Sequence, residues 1–410
     1  MRILFLTQWF DPEPFFKGLP FARALKDRGH DIQVLTGFPN YPGGKVYPGY
    51  RVRVFQREIM EGIPVTRVAL YPSHDRSPIR RILNYCSFAI SASILGPLLI
   101  GKVDVIYAYH PPGTIGLPAL VMKFVKKAPV VYDIQDLWPD SVEASGMMNN
   151  KIVSWLIGGW CHLIYRLVNK IVVLSPGLKN ALIERGVDKK KIEVIYNWCD
   201  DVEIICEQEN LDPSDQEVFA GRFNIVFAGT MGTGQGLEAV IDAAEILKAR
   251  QQEIQFVFIG GGTEVSNLRK RAKSKNLDNV IFLDKRPVSE IGKILKAADV
   301  LLVHLRDKPL YRIVIPSKTQ AYMAVGKPIL MCVRGDAEML VRKAGAGVCC
   351  IPEDPQSIAE GAYELYLMPI EELAEMGING KKYYEEELCM PEGVAMFEKI
   401  FRDVLTQEKR

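Results

Sequence analysis

Metal-ligand clusters, paired thiols and net charge are all scarce in this 410-residue sequence. Eight cysteines (Cys86, Cys161, Cys199, Cys206, Cys332, Cys349, Cys350 and Cys389) show no C-x-x-C spacing. That argues against a zinc ribbon or a disulfide framework and fits a reducing cytosol. The five histidines include no i, i+4 pair, so no protein-built metal site is expected. A formal net charge of +2 is too small to suggest a nucleic-acid partner. Short-period repeats and low-complexity tracts are missing too. The opening MRILFLTQWF enters a strand pattern without a basic leader, a long apolar core and a small-residue cleavage site, so no secretory signal is expected.

What is present is α/β alternation, twice over. Short apolar runs predict strands at Arg2 to Leu6, Asp31 to Thr36, Val65 to Leu70, Val103 to Tyr109, Val130 to Asp133, Lys170 to Leu174 and Ile192 to Ile195. Helical patterns fill the gaps, most clearly Pro20 to Gly29 and Pro176 to Arg185. From Asn197 to Gly221 the chain turns acidic and weakly periodic, which reads as a linker, and Asp200-Asp201 belongs to it rather than to a metal pair. Strands resume at Phe223 to Ala228, Gln255 to Ile259, Val280 to Leu283, Val300 to His304, Pro328 to Cys332 and Gly347 to Ile351, followed by a last helix, Pro391 to Thr406. The chain is too long for one ordinary core. Two doubly wound domains are expected, at residues 1–198 and 222–389, with a linker at 199–221 and a terminal helix at 390–410. Charge divides with them: residues 1 to 199 hold 25 Lys and Arg against 15 Asp and Glu, and the remainder 26 against 34.

Open parallel sheets bind ligands beyond the carboxyl ends of their strands, so the residues following each strand carry the information. Phe223 to Lys248 reads as a strand, a glycine-rich turn (Gly229, Gly232, Gly234, Gly236) and an amphipathic helix. Glycines let the backbone approach an anion, and a helix N-terminus offers it free N–H groups. The turn is neither G-x-G-x-x-G nor a P-loop, and any strand-to-helix connection needs a tight turn. Other strand ends lead into GFPNYPGGK, His110-Pro-Pro-Gly, IQDLWPDS and LRDKPLYRIVIPSK. In the last of these, Ser317 and Lys318 should open a helix, bringing an ammonium, a hydroxyl and N–H groups to one point.

Five segments in order, GFPNYPGGKVYPGY, YDIQDLWPDS, IYNWCD, FAGTMGTGQGLE and IPSKTQAYMAVGKPIL, resemble glycosyltransferase family 4, and most closely its N-acetyl-fucosamine transferase type branch. The resemblance covers nearly the whole chain. It implies a GT-B fold of two Rossmann-like domains facing each other across a cleft, with the last helix crossing back onto the first. It implies retaining, metal-independent transfer of a sugar from a nucleotide-sugar, in the branch mostly UDP-linked, to a lipid-linked or oligosaccharide acceptor in surface-polysaccharide synthesis. No cofactor is implied. His110, Asp136 and Lys318 take the catalytic positions, with Trp138 beside the acceptor. Gly229, Gly232, Thr233, Gln235, Gly260, Arg286, Ser317 and Lys318 take the donor site. The chain departs from the family where two glutamates usually stand, at Ile313 and Ala321, so Gln320 or Glu338 is expected to hold the donor ribose. A GT-B epimerase or phosphorylase, or a non-catalytic sugar-nucleotide-binding subunit, are the alternative functions.

Twenty uncharged residues lie between Arg81 and Lys102, long enough by count to span a bilayer, but Asn84, three serines and Gly96-Pro97 interrupt them. Ile152 to Tyr165 is a second apolar stretch carrying Trp155 and Trp160. With Lys123, Lys126 and Lys127 these read either as core helices or as a peripheral contact with the inner face of the cell membrane, the protein itself being cytoplasmic.

Overall fold

A computed structural model describes residues 1–73, 77–144, 150–199, 211–250 and 253–408. The chain divides into two units, one formed by Met1–Ile195 with Val394–Arg410 and the other by Tyr196–Gly393.

The first unit is built on strands β1 (Arg2–Leu6), β2 (Asp31–Gly37), β3 (Phe55–Met60), β4 (Ile63–Val68), β5 (Val105–His110), β6 (Val130–Ile134), β7 (Lys170–Val173) and β8 (Ile192–Val194). Residues Ile3 to Leu6 and all of β5 and β6 are buried, as strands covered on both faces must be. The sheet order is β3-β4-β2-β1-β5-β6-β7-β8. Every pairing is parallel except β3 with β4, a hairpin closed by Glu61 and Gly62, both at positive φ. Strand β3 was not expected from the sequence, because as an edge strand it has no buried face to show an apolar pattern. Beneath the sheet Lys17 and Asp133 form a fully buried ion pair at 2.6 Å, and the Tyr107 hydroxyl and the Gln135 amide donate to the same carboxylate. The last helix, Met390–Glu408, adds to this unit from Val394 on, with Phe397 against Phe21 and Tyr107.

The second unit carries β9 (Phe223–Ala228), β10 (Ile254–Ile259), β11 (Val280–Leu283), β12 (Val300–His304), β13 (Ile329–Cys332) and β14 (Gly347–Cys349). All pair in parallel in the order β11-β10-β9-β12-β13-β14, the doubly wound order whose reversal point lies between β9 and β12. The unit begins at Tyr196, earlier than expected, because Tyr196, Cys199 and Phe219 pack into its core and the Cys199 N–H donates to the Tyr384 hydroxyl. The segment read as a linker is therefore partly structural: Pro213–Phe219 is a helix of this unit, while residues 200–210, with Asp200-Asp201, lie outside the described residues.

Candidate active site

At the reversal point of the second unit the chain leaves β9 at Gly229, whose N–H donates to the Ile259 carbonyl. The loop after β10 lies main chain against main chain with this turn. A Cβ on Gly260 (φ +136°) would come within 2.1 Å of the Gly229 oxygen, and one on Gly262 (φ +151°) within 2.2 Å of the Met231 oxygen. Only glycine fits either place. The Tyr322 hydroxyl fixes the end of β9 by bonding both the N–H (3.0 Å) and the carbonyl (3.3 Å) of Ala228.

Beyond Gly229 the turn is a single 3-10 turn, Thr233–Gln235, followed by Gly236 in the left-handed region, and the long helix starts at Glu238 rather than at Gly236. Three successive carbonyls of the turn are taken up from below. Arg306 Nε donates to Thr233, the Arg306 N–H to Gly234 and His304 Nδ1 to Gln235, at 2.7, 3.0 and 2.6 Å. His304 Nε2 accepts the Glu353 N–H at 3.1 Å. The ring is thus a neutral bridge, and burial lowers its pKa to about 4.

A cavity of about 480 Å³ opens beside this turn. One wall is apolar (Ile259, Ile291, Leu295, Ala321), and Lys285, Arg286 and Lys318 bring positive charge. Lys318 sits in the first turn of the helix Ser317–Val325. Its ammonium is buried without a hydrogen-bond partner, 3.5 Å from the Phe227 ring centroid, and would lie 3.4 Å from a Cβ on Gly229. Loss of water lowers its pKa to about 7. Arg286 is anchored through Asp215 at 2.9 Å, while its Nε has no partner. An apolar wall beside the Lys318 Nζ, the open Nε of Arg286 and glycine backbone fits a nucleoside diphosphate.

Gly229, Gly260, Arg286 and Lys318 line one cavity. Gly232, Thr233 and Ser317 are not among its lining residues, and the Gln235 side chain is spent on the Gly232 N–H at 2.9 Å. Two expectations need correcting. Gln320 is buried with its amide against the carbonyls of Pro316 and Ser317, which its nitrogen satisfies once the amide is turned over, and Glu338 pairs with Arg342 one helical turn on. Neither lines the cavity, whereas Ala321 does and brings no carboxylate to it. His304, Arg306 and Tyr322 were not singled out from the sequence; the only signal was the position of His304 at a strand end.

In the first unit His110 ends β5 with both ring nitrogens buried and unpartnered, packed against Tyr132 and Trp138. Burial drops its pKa to about 3, so the ring is neutral and offers one donor and one acceptor. Asp136 stands open to solvent two residues before Trp138; the protein around it raises its pKa, and its exposure limits that effect. Glu13, also missed from the sequence, accepts N–H bonds from Phe10, Asn40 and Tyr41 and so ties the loops after β1 and β2 together.

The sequence profile of the glycosyl transferases group 1 matches residues 209–383, and that of the glycosyl transferase 4-like domain matches residues 19–198. Between them the profiles cover both units. The chain belongs to these GT-B glycosyltransferases. It is 27% identical over 368 residues to Escherichia coli K12 WcaI, provisionally named a colanic acid biosynthesis glycosyl transferase, covering 84% of this chain and 86% of WcaI. WbjE of Pseudomonas aeruginosa, provisionally named a glycosyltransferase, is 24% identical over 260 residues, covering 62% and 64%. Anabaena HepE, solved with UDP-glucose, shares the fold with a TM-score of 0.67 at 18% identity, covering 99% of this chain and all of HepE.

Proposed function

We propose that the protein transfers a glycosyl group from a UDP-sugar to a hydroxyl of a lipid-linked or oligosaccharide acceptor in surface-polysaccharide synthesis, with retention at the anomeric carbon. The observation that carries the donor half of this reading is the unpartnered Lys318 ammonium beside Gly229. The binding of UDP-glucose by HepE and the naming of WcaI for colanic acid synthesis support it.

In this mechanism the bond from the anomeric carbon to the diphosphate oxygen breaks toward an oxocarbenium-like state. The diphosphate leaves with the bonding pair, its charge met by Lys318, Arg286 and main-chain N–H groups already in place. Retention without a protein nucleophile requires the acceptor oxygen to attack from the face the diphosphate leaves, and the departing phosphate oxygen there takes the hydroxyl proton. His110, neutral and unpartnered, is assigned to the donor sugar, and Asp136 with Trp138 to the acceptor.

Incubation with a panel of sugar nucleotides and a lipid-linked sugar tests the proposal, beginning with a UDP-linked N-acetyl-fucosamine. Transfer with an unchanged anomeric configuration, undiminished by a chelator, is expected. A preference for GDP over UDP in calorimetry, inverted product or strict dependence on a divalent ion would refute the corresponding part.

A further inference from the structure

Three helices of the first unit carry an apolar outer surface that folding leaves uncovered. The helix Pro78–Leu99 buries one face (Tyr85, Phe88, Ala92, Gly96) and presents Ile90, Ile94 and Leu98, at successive i, i+4 positions, to solvent. An ordinary surface helix is polar on that face. The helix Gly116–Lys126 packs against it and exposes Phe124, and the helix Lys151–Leu167, packed on the far side, exposes Trp155 and Leu156. Exposure reaches 78% at Leu98, 65% at Phe124 and 75% at Trp155. The middle helix ties the three together: Lys126 donates to the carbonyls of Pro97 and Ile100, and Lys123 to that of Leu167.

Charge on these helices has one sign. Arg80 and Arg81, Lys123 and Lys126, Lys151 and Arg166 are all basic, and none of the three helices contains an Asp or Glu. A protein partner is met by an apolar core within a rim of mixed polar groups. An apolar face whose own helices carry only basic charge, with a tryptophan in it and acidic Asp140 and Glu143 confined to the groove beside that tryptophan, matches anionic headgroups above acyl chains.

We propose that this three-helix face docks the protein on an anionic phospholipid surface without crossing it. A span is unsuited to the first helix, because its inner face is part of the domain: a Cβ on Gly96 would lie 2.8 Å from Leu35 Cδ2 and 3.3 Å from Met122 Sδ. Trp155 also borders a cavity of about 600 Å³ lined by Trp138, Tyr165, Glu143 and the Arg185–Asp140 ion pair, so the groove beside Trp138 opens at the edge of the docking face. An acceptor carried on a lipid would reach that groove from the bilayer. The docking itself does not depend on the chemistry proposed above.

Flotation of the full chain with vesicles of mixed phosphatidylglycerol and phosphatidylcholine tests it. Binding should be strong to the mixed vesicles, weak to phosphatidylcholine alone, and should fall as salt rises. Replacing Leu98→Ser, Phe124→Ser and Trp155→Ser together should reduce the vesicle-bound fraction at least about tenfold with an unchanged thermal midpoint. The proposal is overturned if the folded chain binds neither vesicle, if the triple variant binds as well as the parent, if detergent alone releases the protein, or if the variant instead dissolves a vesicle-independent dimer.

Discussion

The Lys318 ammonium rests over the Phe227 ring, 3.5 Å from its centroid, and has no other partner. A ring face stabilises a desolvated cation by about 2 kcal/mol at most in ordinary cases, which does not replace its lost hydration. The site is thereby poised for an anion. Removing the charge with Lys318→Ala should lower turnover at least roughly tenfold, about 1.4 kcal/mol, and leave the unfolding midpoint unchanged or raised. Lys318→Arg should recover little, since a planar guanidinium cannot take the place of a point charge between the ring and Gly229. Steady-state rates and thermal melts of both variants check this.

Binding should also depend on pH in a defined direction. The Lys318 pKa is lowered to about 7 by burial in the free protein, and a neighbouring diphosphate raises it again. Affinity for a UDP-sugar, whose diphosphate diester does not titrate near neutrality, should therefore be full below pH 7 and fall as pH rises through it. Protons are taken up on binding above that point. Calorimetry in buffers of different ionisation enthalpy reads the uptake directly, and in Lys318→Ala this component should vanish.

His304 offers a third test. Its loss orphans the Gln235 carbonyl and the Glu353 N–H, each at a cost of about 1–3 kcal/mol if left buried. His304→Ala should lower the melting temperature of the second unit and weaken UDP binding, because the Thr233–Gln235 turn loses its lower support. Since the ring is neutral throughout, with a pKa of about 4, neither effect should change between pH 6 and pH 8 by way of His304.

His110 is expected to separate rate from affinity. It lies outside the unit that holds the cavity beside Gly229 and Lys318, so, on the proposed function, His110→Ala should leave UDP affinity unaltered while turnover falls at least about tenfold. Its pKa of about 3 also means that the pH–rate profile should carry no limb from this group near neutrality. Parallel calorimetry and initial rates distinguish this outcome from misfolding.

The buried Lys17–Asp133 pair bears on stability instead. Lys17→Met leaves the carboxylate buried with only the Tyr107 hydroxyl and the Gln135 amide. A cost of about 3 kcal/mol is expected. Urea unfolding followed by the first unit's signals should show it, with the second unit's transition unmoved.

How much of this was legible beforehand depended on where the determining contacts lie. Continuous apolar runs such as Ile3 to Leu6 announce buried parallel strands by themselves, and Pro316-Ser317-Lys318 announces the start of the helix Ser317–Val325. β3 was silent because neither of its faces is buried. Clamp residues were silent for another reason. His304 acts through Gln235 and Glu353, 69 and 49 positions away, and Glu13 through Asn40, 27 positions away. No local pattern encodes such pairings. Gln320 illustrates the converse: a polar residue beside the site reads as a ligand contact, yet its amide satisfies carbonyls of its own helix.

The return of Val394–Arg410 to the unit that begins at Met1 reverses the order in which the two units are finished. As the chain is synthesised, Tyr196–Gly393 can close completely while the earlier unit still lacks its last helix. Until Phe397 and Phe401 arrive, the rings of Phe21 and Tyr107 rest on each other and on Phe5 but lack the cover that the last helix gives them. The half of the protein made first thus completes its packing only when the end of the chain is supplied, nearly two hundred residues after its last strand.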